Sequence, residues 1–570
     1  MGLFLLDYGA GNVRSLANTL ERLGYEFQWI SSADDFANAT RLIFPGVGAF
    51  KSAIVHLQER GLLEPLKQYI ASGRPYLGIC IGMQVLFQSS QENPDVAGLG
   101  IIPADIGEFD HSSKAVPHMG WNAAEPVEQA DASDRLVDPN AHYYFVHSFR
   151  ATYDPTNAPA PAQWAHTTTQ YGQEVFISSV RKDNVFATQF HPEKSGEAGL
   201  RLIQAWVQRS DAQLTSAHPS PRSPRSPRPR HGLTKRIIAC MDVRANDDGD
   251  LVVTKGDQYD VREKAPPPPS SSSSHDALQT TTAGAVRNLG KPVALAARYY
   301  ASGADELCLL NITSFRHSPL RDQPMLALVR AAAARVFVPL TIGGGIKDTV
   351  DPDGTPRPAL EVAAAYFRAG ADKVSVGSEA VYAVERLRAS GKERGDGTSA
   401  IETIAAAYGR QAVVVSVDPK RVYVGDAKAY EGPYRDELVL GREGSSEEGK
   451  AWWYQCTVSG GREARDLSVV QLAQGAEALG AGEILLNSID RDGTGLGFDL
   501  DLIRLVKKAV RIPVVASSGA GSTAHFTEVF RETDVEAALA AGIFHREEVK
   551  ISEVKQAMVD AGLETRTLFE

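Results

Sequence analysis

The chain has 570 residues, 43% of them hydrophobic and 23% charged, with a net charge of −11. That length implies two or more domains, each with its own core, and the negative balance argues against a nucleic-acid binder, whose surface is usually basic. Cys80, Cys240, Cys308 and Cys456 stand far apart with no CxxC pair, so neither a disulfide framework nor a zinc site is expected, and no cofactor.

The first residues, Met1-Gly2-Leu3-Phe4-Leu5-Leu6-Asp7, lack a basic leader and read as a buried strand rather than a signal peptide. No apolar run reaches membrane-spanning length, so a soluble, cytoplasmic protein is expected. Short apolar strands at 3–6, 27–30, 41–44 and 75–79 alternate with helical patterns such as 13–23 and 53–57, a doubly wound α/β layout. Stretches at 143–147, 175–180 and 185–189 are spaced like antiparallel strands.

Within this part, Gly78-Ile79-Cys80-Ile81-Gly82-Met83 sets a lone thiol between two glycines, after an apolar strand and before a helix-like run. A sharp strand-to-helix turn needs glycines where Cβ atoms would clash, and it lifts the sulfur to a helix N-terminus, whose dipole favours an anion. Further on, Gln189-Phe190-His191-Pro192-Glu193 places a histidine and a carboxylate two positions apart. On extended backbone the two point the same way, so Glu193 fixes the ring tautomer while His191 faces Cys80. The competing reading is a buried structural cysteine and an unrelated histidine; the flanking glycines and the His-x-Glu spacing weigh against it.

Residues 1–210 therefore form one expected domain. Residues 211–232, with repeated Ser-Pro-Arg, have little to bury and are expected to be an extended, mobile linker. In the remaining domain, 233–570, the run Pro266-Pro267-Pro268-Pro269 and the serines to Ser274 read as an expanded surface loop, and 428–450 as a second loop insertion. Eight β-type segments, at 236–242, 306–312, 336–342, 373–377, 412–418, 483–489, 513–517 and 535–539, alternate with helical stretches and predict a (β/α)8 barrel. Ala239-Cys240-Met241-Asp242-Val243 is echoed by Val415-Ser416-Val417-Asp418-Pro419, and Ile342-Gly343-Gly344-Gly345 by Ser518-Gly519-Ala520-Gly521, both at an offset of 176 residues. A shared offset predicts two fused half-barrels.

Barrel chemistry sits at strand C-termini. Asp242 and Asp418 end strands one and five, on opposite sides of the mouth, where one could act as acid and the other as base. The Gly344-Gly345 loop with Ser378, and the Gly519-Gly521 loop with Gly542, each offer free backbone N–H groups to an anion, so a ligand with a phosphate at each end would span the mouth.

On these motifs, together with Pro45-Gly46-Val47-Gly48 and His191-Pro192-Glu193-Lys194-Ser195, the first part resembles the class I glutamine amidotransferase domain across nearly all of 1–210. The second resembles the cyclase subunit of imidazole glycerol phosphate synthase across roughly 233–560, through Ile237 to Val243, Thr254-Lys255-Gly256-Asp257, Ile342 to Ile346, Asn487 to Thr494 and Ala516 to Gly521. The order of the two parts is similar to the bifunctional eukaryotic form of that family.

The resemblance implies that glutamine is hydrolysed in the first domain. Its ammonia then attacks a bis-phosphorylated ribotide at the barrel mouth, yielding imidazole glycerol phosphate and an aminoimidazole carboxamide ribotide. It assigns Cys80, His191 and Glu193 to the glutaminase triad, Gly46 and Gly48 with Ile81 to the oxyanion hole, Gln84 to glutamine, and Asp242 and Asp418 to acid–base work. Lys255, Asp490, Gly493 and Thr494 are to hold ribotide. Arg236, Glu306, Lys373 and Glu483, each at a strand start, are to ring an ammonia gate, and the two domains are to dock within one monomeric chain. Asn311, where some relatives carry Asp, is given no proton-transfer role. Two alternatives remain at this stage: a glutaminase tethered to an unrelated phosphate-binding barrel such as an isomerase, and a glutamine-sensing scaffold.

Overall fold

A computed structural model describes residues 2–9, 11–46, 48–127, 136–215, 223–229, 231–245, 251–254, 292–312, 324–351, 353–444 and 446–567. The N-terminal half is built on an eight-stranded mixed sheet. Its strands lie in the spatial order Gln28–Ile30, Leu3–Leu6, Arg41–Phe44, Tyr76–Ile79, Val185–Thr188, Glu174–Lys182, Ala165–Tyr171 and Glu125–Pro126. The first five are parallel, and their fully buried Leu, Ile, Phe and Val side chains suit a sheet covered on both faces.

The expected antiparallel set is only partly so. Val185–Thr188 is antiparallel to Glu174–Lys182 but parallel to Tyr76–Ile79, in register Ala187 to Gly78. That strand therefore brings the histidine that follows it to the same sheet end as the cysteine after Tyr76–Ile79. His142–His147 leaves the sheet and pairs with His118–Ala123 as a separate antiparallel ribbon.

The C-terminal half is a closed barrel of eight parallel strands: Arg236–Ala245, Glu306–Asn311, Leu340–Gly343, Lys373–Val376, Val413–Val417, Glu483–Leu486, Val514–Ala516 and Ala537–Ala540. Pairing of Arg236 with Ala537 shuts it. All eight expected strands are present; Asp242 lies on strand one and Asp418 directly follows strand five, the equivalent places that the half-barrel echo requires. Side chains alternate along a strand, so Arg236, Ile238, Cys240 and Asp242 share the inward side of strand one. Ile238, Cys240, Cys308, Val414, Leu485, Val515 and Leu539 pack together as the apolar interior of the barrel. Six residues at about 3.3 Å each separate Arg236 at its floor from Asp242 at its mouth by about 20 Å.

The insertion after strand five is more than a loop. Pro419–Val424, Val439–Leu440, Ala451–Val458 and Glu463–Ser468 form a four-stranded antiparallel sheet beside the mouth, with Trp452 and Tyr454 buried under it. Among its described residues, 425–438, 441–444, 446–450 and 459–462 lie outside those strands, with one 3-10 turn at Arg435–Glu437. The Pro/Ser run at 266–274 lies outside the described residues. The described linker residues do not hang free. The Gln170 side-chain amide exchanges two hydrogen bonds with the Arg228 backbone, and Arg225 and Arg228 both pair with Glu125 at the sheet edge. Basic side chains that a composition reading assigns to solvent here meet an acidic edge strand.

The two halves share a core. Trp121 and Tyr144 of the ribbon are buried in the hydrophobic cluster of the barrel, and the Trp121 indole donates to Asp305 O at 3.1 Å. The Arg566 guanidinium stacks over the same indole, 4.1 Å from its centroid. Among the described residues no helix is long and apolar enough to cross a membrane.

Candidate active site

Cys80 sits between the strand Tyr76–Ile79 and the short helix Ile81–Gln84, at φ 48 and ψ −102. A non-glycine residue held there costs about 1–3 kcal/mol, which the surroundings must offset. Three glycines make the turn possible. A Cβ on Gly46 would lie 1.7 Å from Ile79 O, one on Gly78 2.3 Å from Gly82 O, and one on Gly82 2.5 Å from Phe44 O. The Tyr76 hydroxyl donates to Gly82 O at 2.6 Å and ties the turn from below.

His191 and Glu193 reach Cys80 from the neighbouring strand. His191 Nδ1 lies 2.8 Å from Glu193 Oε1, and the other side of the ring faces the sulfur. Burial alone would lower the imidazole, but the Glu193 carboxylate and the adjacent Cys80 outweigh it and hold His191 well above its ordinary value. A thiol, an imidazole beside it and a carboxylate on the far ring nitrogen are the parts that nucleophilic catalysis requires. Gly46, Gly48 and Gln84 line the same small cavity, while Val47 falls outside the described residues. Glu92, which the sequence reading passed over, also lines it. Burial raises its carboxyl even though Phe50 N donates to it at 2.8 Å.

Asp372, Lys373 and Gln411 of the barrel close the far wall of this cavity. Lys194, next to Glu193, pairs with Asp372 at 2.7 Å, and Asn12 donates to the other Asp372 oxygen at 2.8 Å. Lys373 then joins Arg236, Glu306 and Glu483 in a closed, buried ring of alternating charge. The contacts are Arg236–Glu306 2.8 Å, Glu306–Lys373 2.7 Å, Lys373–Glu483 2.6 Å and Glu483–Arg236 2.5 Å. Burial would raise Glu483, yet Arg236 and Lys373 hold it below the usual carboxylate range.

At the other end of the barrel interior a cavity of about 520 Å³ opens at the strand C-termini. Asp242, Asp418, Gly344, Gly345 and Ser378 line it together. Burial, and secondarily the charge of Asp492, pushes the Asp242 carboxyl up to about 7. Asp418 is also raised by burial; Asn487, which donates to it at 2.6 Å, opposes that shift and Asp492 adds to it.

Other expected residues fall elsewhere. Ser518 and Ala541 line the cavity, but Gly519 and Gly521 serve packing: a Cβ on either would lie 2.3 Å from a carbonyl of the Gly495–Gly497 turn. Gly542 begins a short helix behind Ala541. Asp490 is exposed and accepts the Arg421 backbone N–H at 2.8 Å, and the Thr494 hydroxyl donates to Arg491 O at 2.8 Å. Neither they nor Gly493 are on the cavity wall, where Asp492 of the same loop stands. Lys255 lies outside the described residues. Lys347 and Arg462, absent from the sequence-based set, bring two cations to the Gly344–Ser378 side. Asn487 and Asp492 belong to the Asn487 to Thr494 motif, and inward parity from Glu483 marks Asn487.

The class follows from these two sites: a triad-type amidotransferase domain set against the floor of a histidine-biosynthesis barrel. Residues 4–207 match the model of the class-I glutamine amidotransferase family and 236–550 that of the histidine biosynthesis protein family. The chain is 52% identical over 565 residues to the imidazole glycerol phosphate synthase hisHF of Emericella nidulans, covering 99% of this chain and 98% of that one. It is 51% identical to its namesake from Schizosaccharomyces pombe, with 99% of both covered, and 50% identical to the chloroplastic protein of Arabidopsis thaliana, with 99% of this chain and 89% of that one covered. The chain belongs to the bifunctional imidazole glycerol phosphate synthase family.

Proposed function

We propose that the chain makes imidazole glycerol phosphate with nitrogen taken from glutamine. The Cys80 sulfur attacks the glutamine carboxamide, His191 takes the nucleophile's proton and returns it to the departing nitrogen, and Glu193 keeps the ring aligned; water, deprotonated by His191, then cleaves the glutamyl thioester to glutamate and gives the sulfur back its proton. The N–H groups of Gly48 and Ile81 receive the oxyanion, and Gln84 and Glu92 hold the amino acid. Ammonia leaves past the ring of Arg236, Glu306, Lys373 and Glu483 and travels the lumen, whose apolar walls disfavour ammonium. At the mouth Asp242 and Asp418 divide the acid and base roles on the ribotide, whose phosphates rest at Gly344–Gly345–Ser378 and at Ser518–Ala541. The products are imidazole glycerol phosphate and aminoimidazole carboxamide ribotide.

One observation carries this reading. Lys373 is a wall of the cysteine cavity and a member of the ring that floors the barrel's apolar interior, which separates that cavity from the one lined by Asp242. An isomerase or a sensing scaffold needs no such junction. The domain limits 1–210, 211–232 and 233–570, a monomeric state and a cytoplasmic location complete the proposal.

The test supplies labelled glutamine nitrogen in a medium of unlabelled ammonium. Label should enter imidazole glycerol phosphate undiluted, and Cys80→Ala should lose glutamine-dependent synthesis while keeping synthesis from ammonium salts. Free mixing of the label before incorporation would overturn the internal route.

A further inference from the structure

Beyond the triad, a directed run of hydrogen bonds ends on the reacting sulfur. Gln189 Nε2 donates to Cys80 Sγ at 3.5 Å. Gln189 Oε1 accepts from Gln84 Nε2 at 3.0 Å, and the same Gln84 amide donates to Phe149 O at 3.2 Å. Phe149 O also lies 2.7 Å from His147 Nδ1; a carbonyl only accepts, so this nitrogen carries the proton. Neutral His147 then has a bare Nε2, which makes His118 Nδ1, 3.1 Å away, the donor. His118 Nε2 is left as an acceptor for Asn122 Nδ2 at 3.2 Å. Asn122 gives its other proton to Gln170 O at 3.0 Å.

The partners thus assign one set of tautomers and amide orientations to the whole run. Turning the Gln189 amide over would face its oxygen to the sulfur and its nitrogen to the Gln84 N–H, two donors head to head. Gln84 is held in turn because Phe149 O must receive an N–H, and Phe149 O is held by His147. Burial pushes His147 down to about 3 and His118 well below its ordinary value, so both rings stay neutral.

We propose that Gln189 is a further catalytic residue of the glutamine site, donating to the Cys80 sulfur when it carries negative charge, and that the buried His118–His147 pair is the positioning anchor of the run. The proposal rests on the amidotransferase reading above. A hydrogen bond to a charged group is among the stronger ones in a protein, and this one acts on the atom that attacks and later leaves.

The test uses the full chain with Gln189→Met, Gln189→Glu and His118→Phe. The last keeps an aromatic ring among Phe109, Phe145, Tyr171 and Phe176. The readouts are kcat and KM for glutamine hydrolysis and the rate of Cys80 alkylation by iodoacetamide; circular dichroism melting checks the fold. Gln189→Met should lower kcat and the alkylation rate together by roughly ten- to hundredfold, with KM nearly unmoved. Gln189→Glu, of equal size but unable to donate when ionised, should slow both at least as much, and it carries the test if the Met variant does not fold. His118→Phe should lower kcat about tenfold, since its loss frees the register without removing the donor. Wild-type alkylation and turnover in both Gln189 variants would overturn the catalytic assignment, and a wild-type kcat in His118→Phe would overturn the anchor. If the unmodified protein hydrolyses no glutamine, it is the amidotransferase reading that fails instead.

Discussion

Replacing Asp242 with Asn should stop cyclisation and, above neutral pH, make the protein more stable. The Asp242 carboxyl sits at about 7 in the fold against an ordinary 3.8. A group raised in this way contributes stability that is fully present below its unfolded value and is lost as pH rises through its folded value. A gap of about three units, at 1.36 kcal/mol each, means that ionising Asp242 costs the native state about 4 kcal/mol by pH 8. Asn has nearly the same shape and no charge to desolvate. The stability difference between Asp242→Asn and the parent should thus be close to zero near pH 3.5. It should grow by about 1.4 kcal/mol per pH unit between roughly 4 and 7, then level off. Urea midpoints of the barrel transition, followed by tryptophan fluorescence at half-unit pH steps, measure it; comparing one transition in both proteins avoids treating two domains as a single unfolding unit. A difference that does not vary with pH, or a variant less stable than the parent at pH 8, would refute the burial argument. Ammonium-driven cyclisation at the normal rate would remove Asp242 from the chemistry altogether.

Asp492→Asn removes the nearby charge that adds to the shifts of Asp242 and Asp418, so the pH midpoint of ammonium-driven cyclisation should move down; an unmoved midpoint leaves burial as the whole cause. Lys373→Met leaves Glu306 and Glu483 buried with one cation between them, and should cost about 3–5 kcal/mol in urea melts. Glu483 is held below its usual range, so its pairing stabilises above the unfolded value of about 4.5 and is lost as pH falls; the Lys373→Met deficit should therefore shrink below about pH 4. The same variant should release glutamine-derived ammonia into the medium, and tight coupling in it would show that the ring is no gate. Gly82→Ala drives a methyl to 2.5 Å from the Phe44 carbonyl, so glutamine hydrolysis should fall at least a hundredfold while synthesis from ammonium persists; retained hydrolysis would mean the elbow can relax.

Much of the site was legible because its signals are local. The turn at Cys80 needs glycines at fixed neighbours, a His-x-Glu pair needs only extended backbone, and a 176-residue echo puts Asp242 and Asp418 on equivalent strands whatever the details of packing. Strand parity even orders the inside of the barrel: counting by twos from Arg236 leads through Ile238 and Cys240 to Asp242. Other features depend on which distant segments meet. That Val185–Thr188 runs parallel to Tyr76–Ile79, that Asp492 rather than Asp490 faces the mouth, that Gly519 and Gly521 pack against a turn, and that Arg225 and Arg228 find Glu125 are decided by backbone approach and charge pairing across long sequence separations. The sequence by itself determined the residue types and the side of each strand on which they stand, because those follow from covalent geometry. Only the tertiary structure decided that Lys373 is shared by the cysteine cavity and the charged ring, because that contact exists only once two separately folded sheets bury a common surface.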